Sequence, residues 1–188
     1  MVTPNQFITS KELLDWNIEF NLGLNQMSVK KGKIFLEEGQ KCNYFYFVLK
    51  GIIRMYYYDL DGHEITHLFT SENTMVTAPF SYFKNEPNDL YLQALEDTEL
   101  LLITLEQLNT IFEKIDYSGD RIRKLYLEYI LLFSRRVMSI HTKTAEERYL
   151  KLMDSHPYLF QQAKLAHIAS YLGITPQSLS RIRKNLPM

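Results

Sequence analysis

The sequence predicts an α+β chain in three consecutive parts: an antiparallel β-roll of jelly-roll type, one long helix, and a C-terminal helix-turn-helix with a minimal wing. Three observations predict it. Between Met27 and Ile103, short runs rich in Val, Ile, Phe and Tyr are punctuated by Gly32, Gly39, Gly51 and Gly62. That spacing suits short antiparallel strands that must cover their edges. From Tyr117 to His141, apolar residues recur every three or four positions over about five helical turns. Finally, Lys164 to Lys184 reads KLAHIASYLGITPQSLSRIRK, two short amphipathic segments around a glycine. The expected boundaries are 1–115 for the β-roll, 116–141 for the long helix and 142–188 for the terminal module.

The N-terminal stretch opens with a helix over Thr9 to Phe20. Thr9 and Glu12 stand at capping-box spacing, and Leu13, Leu14 and Ile18 form a partial apolar face. In the β region, Tyr44–Leu49 and Ile52–Tyr58 flank Lys50-Gly51, and Asp61-Gly62 is a strong hairpin turn. The clusters YFYF at 44–47 and YYY at 56–58 offer a ligand cage or ordinary core and cross-strand packing. Packing is preferred, because aromatics are favoured strand residues. Thr74 to Asn88 is the least regular part, since Pro79 and Pro87 break a ladder. Strands resume at Leu90–Leu95 and Glu99–Ile103, and Leu105–Glu113 reads as a short helix.

The long helix carries a stripe of Ile122, Tyr126, Tyr129, Phe133, Val137 and Ile140, widened by Leu125, Ile130, Leu131 and Leu132. One side can pack on the β unit while another meets a partner helix in a dimer seam; a helix buried within one chain is the alternative. Arg135 and Arg136 break the seam or sit at its rim. Thr144 and Glu147 form a second capping box and start a helix over Ala145–Met153, which His156-Pro157 ends. The joint to the terminal module therefore lies near His141 to Lys143.

In the terminal module, Leu165, Ile168, Ala169 and Leu172 share one helical face, and Gly173 follows where a left-handed residue ends a helix. Thr175 can cap the next helix, and Pro176 suits its first position. Leu179, Ile182 and Leu186 then turn inward, leaving Gln177, Ser178, Arg181 and Lys184 outward. This is the helix-turn-helix pattern, with a plain αα-hairpin as the alternative. Gln161 to Met188 carries Lys164, Arg181, Arg183 and Lys184 and no acid, in a chain of net charge −1. A local basic end fits a phosphate-binding surface. Thr175 and the backbone amides at the second helix's start can approach phosphate. Gln177, Ser178 and Arg181 are candidates for base edges, and Arg183 and Lys184 for phosphate. Four residues follow Lys184, so any wing is minimal.

Other classes are bounded by the same residues. His63-Glu64-Ile65-Thr66-His67 matches the H-E-x-x-H zinc-protease pattern, but that chemistry needs a helix. After the Asp61-Gly62 turn the motif reads as strand, where the two histidines would stand about 13 Å apart. No metal site is expected, and two histidines do not make a cupin-type enzyme. Cys42 is the sole cysteine, excluding an intrachain disulfide and a four-cysteine cluster within one chain. With 46% apolar and 23% charged residues the 188-residue chain is an ordinary globular one. No apolar run approaches about 18 residues and no leader is evident, so a cytoplasmic protein without membrane contact is expected.

The order of parts, and the stretches KGKIFLEEGQ, YFYFVLKGIIRMYYYDLDGHE, LQALEDTELLLI, TAEERYLKLM and IASYLGITPQSLSRIRK, resemble the Crp/Fnr family of bacterial transcription regulators over nearly the whole chain. The resemblance implies a cyclic-nucleotide-binding-like β-roll, a homodimer formed through the long helix, and two recognition helices reading an inverted repeat in double-stranded DNA. It further implies RNA polymerase as a partner and places a base-reading arginine at Arg181. Pro176 and Gln177 replace a more polar pair, so the preferred site should differ. In cyclic-AMP-binding members a Gly-Glu pair meets the ribose and an Arg-Ser pair meets the phosphate. Counted back from LQALEDTELLLI, Thr77-Ala78 and Asn88-Asp89 occupy those places. Thr74 to Asp89 offers only Lys84 as a cation, and Asp89 repels phosphate. Loss of cyclic nucleotide binding is therefore expected. Another effector, or a pocket filled by the chain's own side chains, stays open; no haem motif is recognisable and no cofactor is assigned. A small-molecule-sensing module whose helix-turn-helix serves protein contacts is the alternative function.

Overall fold

The computed structural model describes residues 8–115 and 119–186, except the side chains at 121, 122 and 125. Eight strands make two four-stranded antiparallel sheets. Strands β1 (Asn25–Val29), β8 (Thr98–Ile103), β3 (Phe45–Lys50) and β6 (Met75–Val76) form one sheet in the order β1-β8-β3-β6. Strands β2 (Ile34–Leu36), β7 (Tyr91–Ala94), β4 (Ile53–Tyr58) and β5 (Glu64–Thr70) form the other in the order β2-β7-β4-β5. The sheets face each other over Val48, Ile53, Met55, Leu92 and Leu100.

The neighbouring residues Phe47 and Leu101 are equally buried, on the outer face of the first sheet. Helices α1 (Ser10–Glu19) and α3 (Leu105–Ile115) cover that face with Leu13, Leu108 and Ile111. The central strands β8 and β3 are thus covered on both faces, which is why they read as nearly unbroken apolar runs rather than alternating ones. The α1 capping box forms as expected, Thr9 Oγ1 accepting from the Glu12 amide at 3.2 Å. Ile18 corrects the expected apolar face, being 80% exposed.

The Asp61-Gly62 turn is a hairpin joining β4 and β5. Gly51 is not one: β3 and β4 lie in different sheets, and the glycine is the crossover between them. It has φ of 101°, and a Cβ there would lie 2.5 Å from Thr98 Oγ1. The irregular stretch contains a short helix unforeseen in the sequence, α2 (Pro79–Lys84), with Pro79 in its first turn.

Helix α4 runs from Asp120 to Thr142. Tyr129 and Leu132 pack on the β-roll, and the Tyr129 hydroxyl donates to the Met75 carbonyl at 2.9 Å. Tyr126, Ile130, Phe133, Val137 and Ile140 are exposed. The expected stripe therefore divides: Tyr129 belongs to the chain's own core, while Ile122 and Leu125 lie outside the described side chains. Past Lys143 come α5 (Ala145–Ser155), capped by Thr144 and Glu147, then α6 (Leu159–Gln162), α7 (Leu165–Leu172) and α8 (Pro176–Asn185). These helices share a core with Ile52, Phe69 and Leu95 of the β-roll.

Candidate nucleic-acid interface and the β-roll cavity

Helix α7 ends at Gly173 in the left-handed conformation, φ 70° and ψ 35°. Thr175 starts α8, its Oγ1 accepting from the Ser178 amide at 3.2 Å, with Pro176 in the first turn. Leu179 is fully buried and Ile182 and Leu186 pack beside it, against Ile168, Ala169 and Leu172. The amphipathic pattern alone fixes this arrangement, because rotating α8 would bury its arginines.

Gln177, Arg181, Arg183 and Lys184 are all exposed on α8. Their side chains form no hydrogen bond or ion pair among the described residues. The other two sequence candidates are engaged elsewhere. The Thr175 hydroxyl also donates to Ser178 Oγ at 3.0 Å, so both residues are drawn into the helix cap. Ser178, expected outward, is half-buried.

The pair of helices is bolted to the rest of the chain through α7. Strand β5 is an edge strand, and Ser170 closes its open side: its Oγ accepts from the Thr66 amide at 2.7 Å and donates to the Glu64 carbonyl at 2.9 Å. Beneath it, Arg54 is 1% exposed. Its Nε donates to Thr66 Oγ1 at 2.9 Å and its Nη1 to Glu64 Oε2 at 2.5 Å. His167 Nε2 lies 3.9 Å from the same carboxylate oxygen. Burial, and secondarily the Arg54 charge, push the His167 pKa down to about 4, so the ring is neutral at pH 7. From α4, Arg136 donates to the Tyr171 carbonyl at 2.9 Å and lies over the Tyr171 ring at 4.1 Å. Arg136 is thus a strut to α7, rather than a rim residue of the seam. Of this cluster the sequence singled out only Glu64 and Thr66, within the H-E-x-x-H pattern, and Arg136, as a seam residue; Arg54, His167, Ser170 and Tyr171 were not marked.

That pattern lies as a strand predicts. His63 sits in the turn beside Asp59, at 3.4 Å, while His67 stacks on Phe133 of α4 with ring centroids 5.5 Å apart. The two histidines serve different surroundings and offer no shared metal site. Asp59, Asp61 and His63 bring three potential ligand atoms within 4.8 Å of one another in the exposed turn.

A cavity of about 660 Å³ lies between the β-roll and α4. Its walls include Tyr57, Tyr58, Leu68 and Phe80 from the roll side and Tyr126 and Phe133 from α4. The aromatic clusters divide: Tyr46, Phe47 and Tyr56 are core, as the packing reading expects, while Phe45, Tyr57 and Tyr58 line the cavity. Among the described residues no lysine or arginine lines it; the charged groups there are Glu38 and Asp89, and the His67 pKa is lowered by burial and by Arg136, against a smaller opposing effect of Asp89. Thr77 spends its hydroxyl on the Tyr44 carbonyl at 2.9 Å. Asn88 is 2% exposed; its Nδ2 donates to the Glu37 carbonyl at 2.9 Å and its Oδ1 accepts from the Leu90 amide at 3.0 Å. Both positions carry internal hydrogen bonds, and neither supplies a positive charge.

This is a cyclic-nucleotide-binding-type roll followed by a helical module. Residues 26–115 match the family model described as cyclic nucleotide-binding domain. A search of curated proteins finds no match to this chain. Among solved structures, a CooA mutant from Carboxydothermus hydrogenoformans is similar with a TM-score of 0.70 at 16% identity, over 96% of this chain and 86% of that one. FixK2 from Bradyrhizobium japonicum gives 0.66 at 22% identity, over 87% and 84%. CLP from Xanthomonas campestris, described as a c-di-GMP-responsive global regulator, gives 0.65 at 17% identity, over 90% of each chain. The chain has the fold of the Crp/Fnr regulators. Among the described residues no helix is long and apolar enough to cross a membrane.

Proposed function

We propose that this protein is a sequence-specific DNA-binding transcription regulator of the Crp/Fnr type, acting as a homodimer on an inverted repeat. The observation that carries the reading is α8: a capped helix, buried along Leu179 and Ile182, whose exposed side presents Gln177, Arg181, Arg183 and Lys184 with no internal partners. Arg181 and Gln177 read base edges, since arginine pairs bidentately with guanine and glutamine with adenine. Arg183 and Lys184 hold phosphate, and Thr175 and Ser178 set the start of the helix.

The exposed face of α4 supports the dimer. Tyr126, Ile130, Phe133, Val137 and Ile140 follow one another at four, three, four and three residues. That is the heptad spacing of a coiled-coil seam. A second copy placed there covers apolar surface that a single chain leaves in water.

The β-roll, in this reading, does not take cyclic AMP. Neither Thr77 nor Asn88 supplies charge, and Asp89 and Glu38 oppose a phosphate. Global gene regulation is what CLP's description states of CLP; here it motivates gene regulation only, with RNA polymerase as the machinery it would meet. The reading is tested by gel shift across salt concentrations, using fragments from a bound-pool selection. Specific binding that weakens steeply with salt is expected. Absence of any DNA binding, with retained capture of a protein partner, would favour a sensing module whose helix pair serves protein contacts.

A further inference from the structure

The cavity between the β-roll and α4 has a chemistry of its own. At about 660 Å³ it is large enough for a multi-ring molecule. Aromatic side chains line it from both parts, Tyr57, Tyr58 and Phe80 from the roll and Tyr126 and Phe133 from α4, with Phe133 stacked on His67. Among the described lining residues, the charged groups at its exposed rim are two carboxylates: Glu38, which accepts from the Tyr91 hydroxyl at 3.3 Å, and Asp89, which has no hydrogen bond or ion pair among the described residues. Lys84 packs 5.4 Å from the Phe80 ring and is not part of the lining.

We infer that this cavity binds a hydrophobic aromatic amine, its rings between the tyrosines of β4 and the aromatics of α4 and its cationic nitrogen at Asp89 and Glu38. Aromatic faces attract cations as well as rings, so the wall and the rim favour the same ligand. A carboxylate or phosphate would meet two like charges, with no lysine or arginine among the described lining residues. The inference rests on reading the β-roll as the sensing part of a regulator. Tyr126 and Phe133 belong both to the cavity and to the exposed α4 seam. A ligand seated there would touch the surface that a second chain would cover.

A matched set of fluorescent probes tests it: aminomethylanthracene, hydroxymethylanthracene and anthracenecarboxylate, differing only in charge. Each is titrated into the full-length protein without DNA, by fluorescence anisotropy. The amine is expected to bind saturably at one site per chain, about fivefold tighter than the alcohol, the size of an exposed ion pair. The carboxylate should bind weakest. In Asp89→Asn with Glu38→Gln, both at exposed positions, the amine should fall to the affinity of the alcohol while the alcohol is unchanged. Equal or tighter binding of the carboxylate overturns the inference. So does failure of all three to bind, which would mean the second copy's helix or the chain's own side chains close the cavity. A parallel gel shift without probe separates this from the DNA reading: specific DNA binding with no probe binding defeats the ligand alone, and probe binding without DNA binding defeats the regulator reading alone.

Discussion

In the proposed reading, Arg181 and its neighbours on α8 divide by the chemistry of what they would touch. Arg181→Ala is expected to cost about 1–3 kcal/mol on the cognate site and to relax one base position. Equal losses on cognate and random duplex, measured by anisotropy, would make it a phosphate contact instead. Lys184→Ala should weaken both duplexes alike and reduce the salt slope by about 1. His167 makes a different prediction. Its pKa is pushed down to about 4 in the folded chain against about 6.5 unfolded. The unfolded state therefore binds more protons between those values. The stability contributed by the neutral ring is complete above pH 6.5 and is lost as pH falls towards 4. Urea titrations at pH 7 and pH 5 should show this loss in the native protein and a smaller one in His167→Gln. An identical pH dependence in the two would place the effect elsewhere.

At the scale of elements, α4 is two helices in one. Tyr129 and Leu132 belong to the β-roll core, and the face through Ile130 and Val137 is exposed, where the proposed dimer would place a second copy. Ile130→Glu with Val137→Glu should yield a folded monomer by light scattering, because neither residue is in the chain's own core. Unfolding, or an intact dimer, would contradict the division. By contrast, Leu179→Ala removes a fully buried side chain from the joint core and should cost about 2–5 kcal/mol in urea unfolding. The elements differ in how far local sequence specifies them. The capping boxes at Thr9 and Thr144, the Gly173 turn and the Asp61-Gly62 hairpin are local chemistry, and each stands where its residues place it. Helix α2 was hidden because Pro79 reads as a strand breaker as well as a helix start. Gly51 was ambiguous for a related reason: a hairpin and a sheet crossover ask for the same glycine, and only contact with Thr98 distinguishes them.

The whole molecule is held together by what no single segment states. Ile52, Phe69 and Leu95 of the roll share one core with the helices that carry α8, and Ser170, Arg54, Glu64 and His167 fasten α7 to strand β5. These residues lie about a hundred positions apart, so hydrophobic period and turn chemistry carry no trace of their meeting. The cavity was half legible. Missing cations at Thr77 and Asn88 were readable from the resemblance, but the walls come from segments that only the fold brings together. Through this fastening the β-roll sets the position of α8, and in the proposed dimer α4 would set the position of the second copy. The claim at the centre is that two α8 helices are presented together, about 34 Å apart, to successive major grooves. Selection of bound duplexes from a random pool, followed by sequencing, tests it most directly. The account predicts enrichment of an inverted repeat whose half-sites are centred about one helical turn apart. Enrichment of a single unpaired half-site, or none at all, would contradict it.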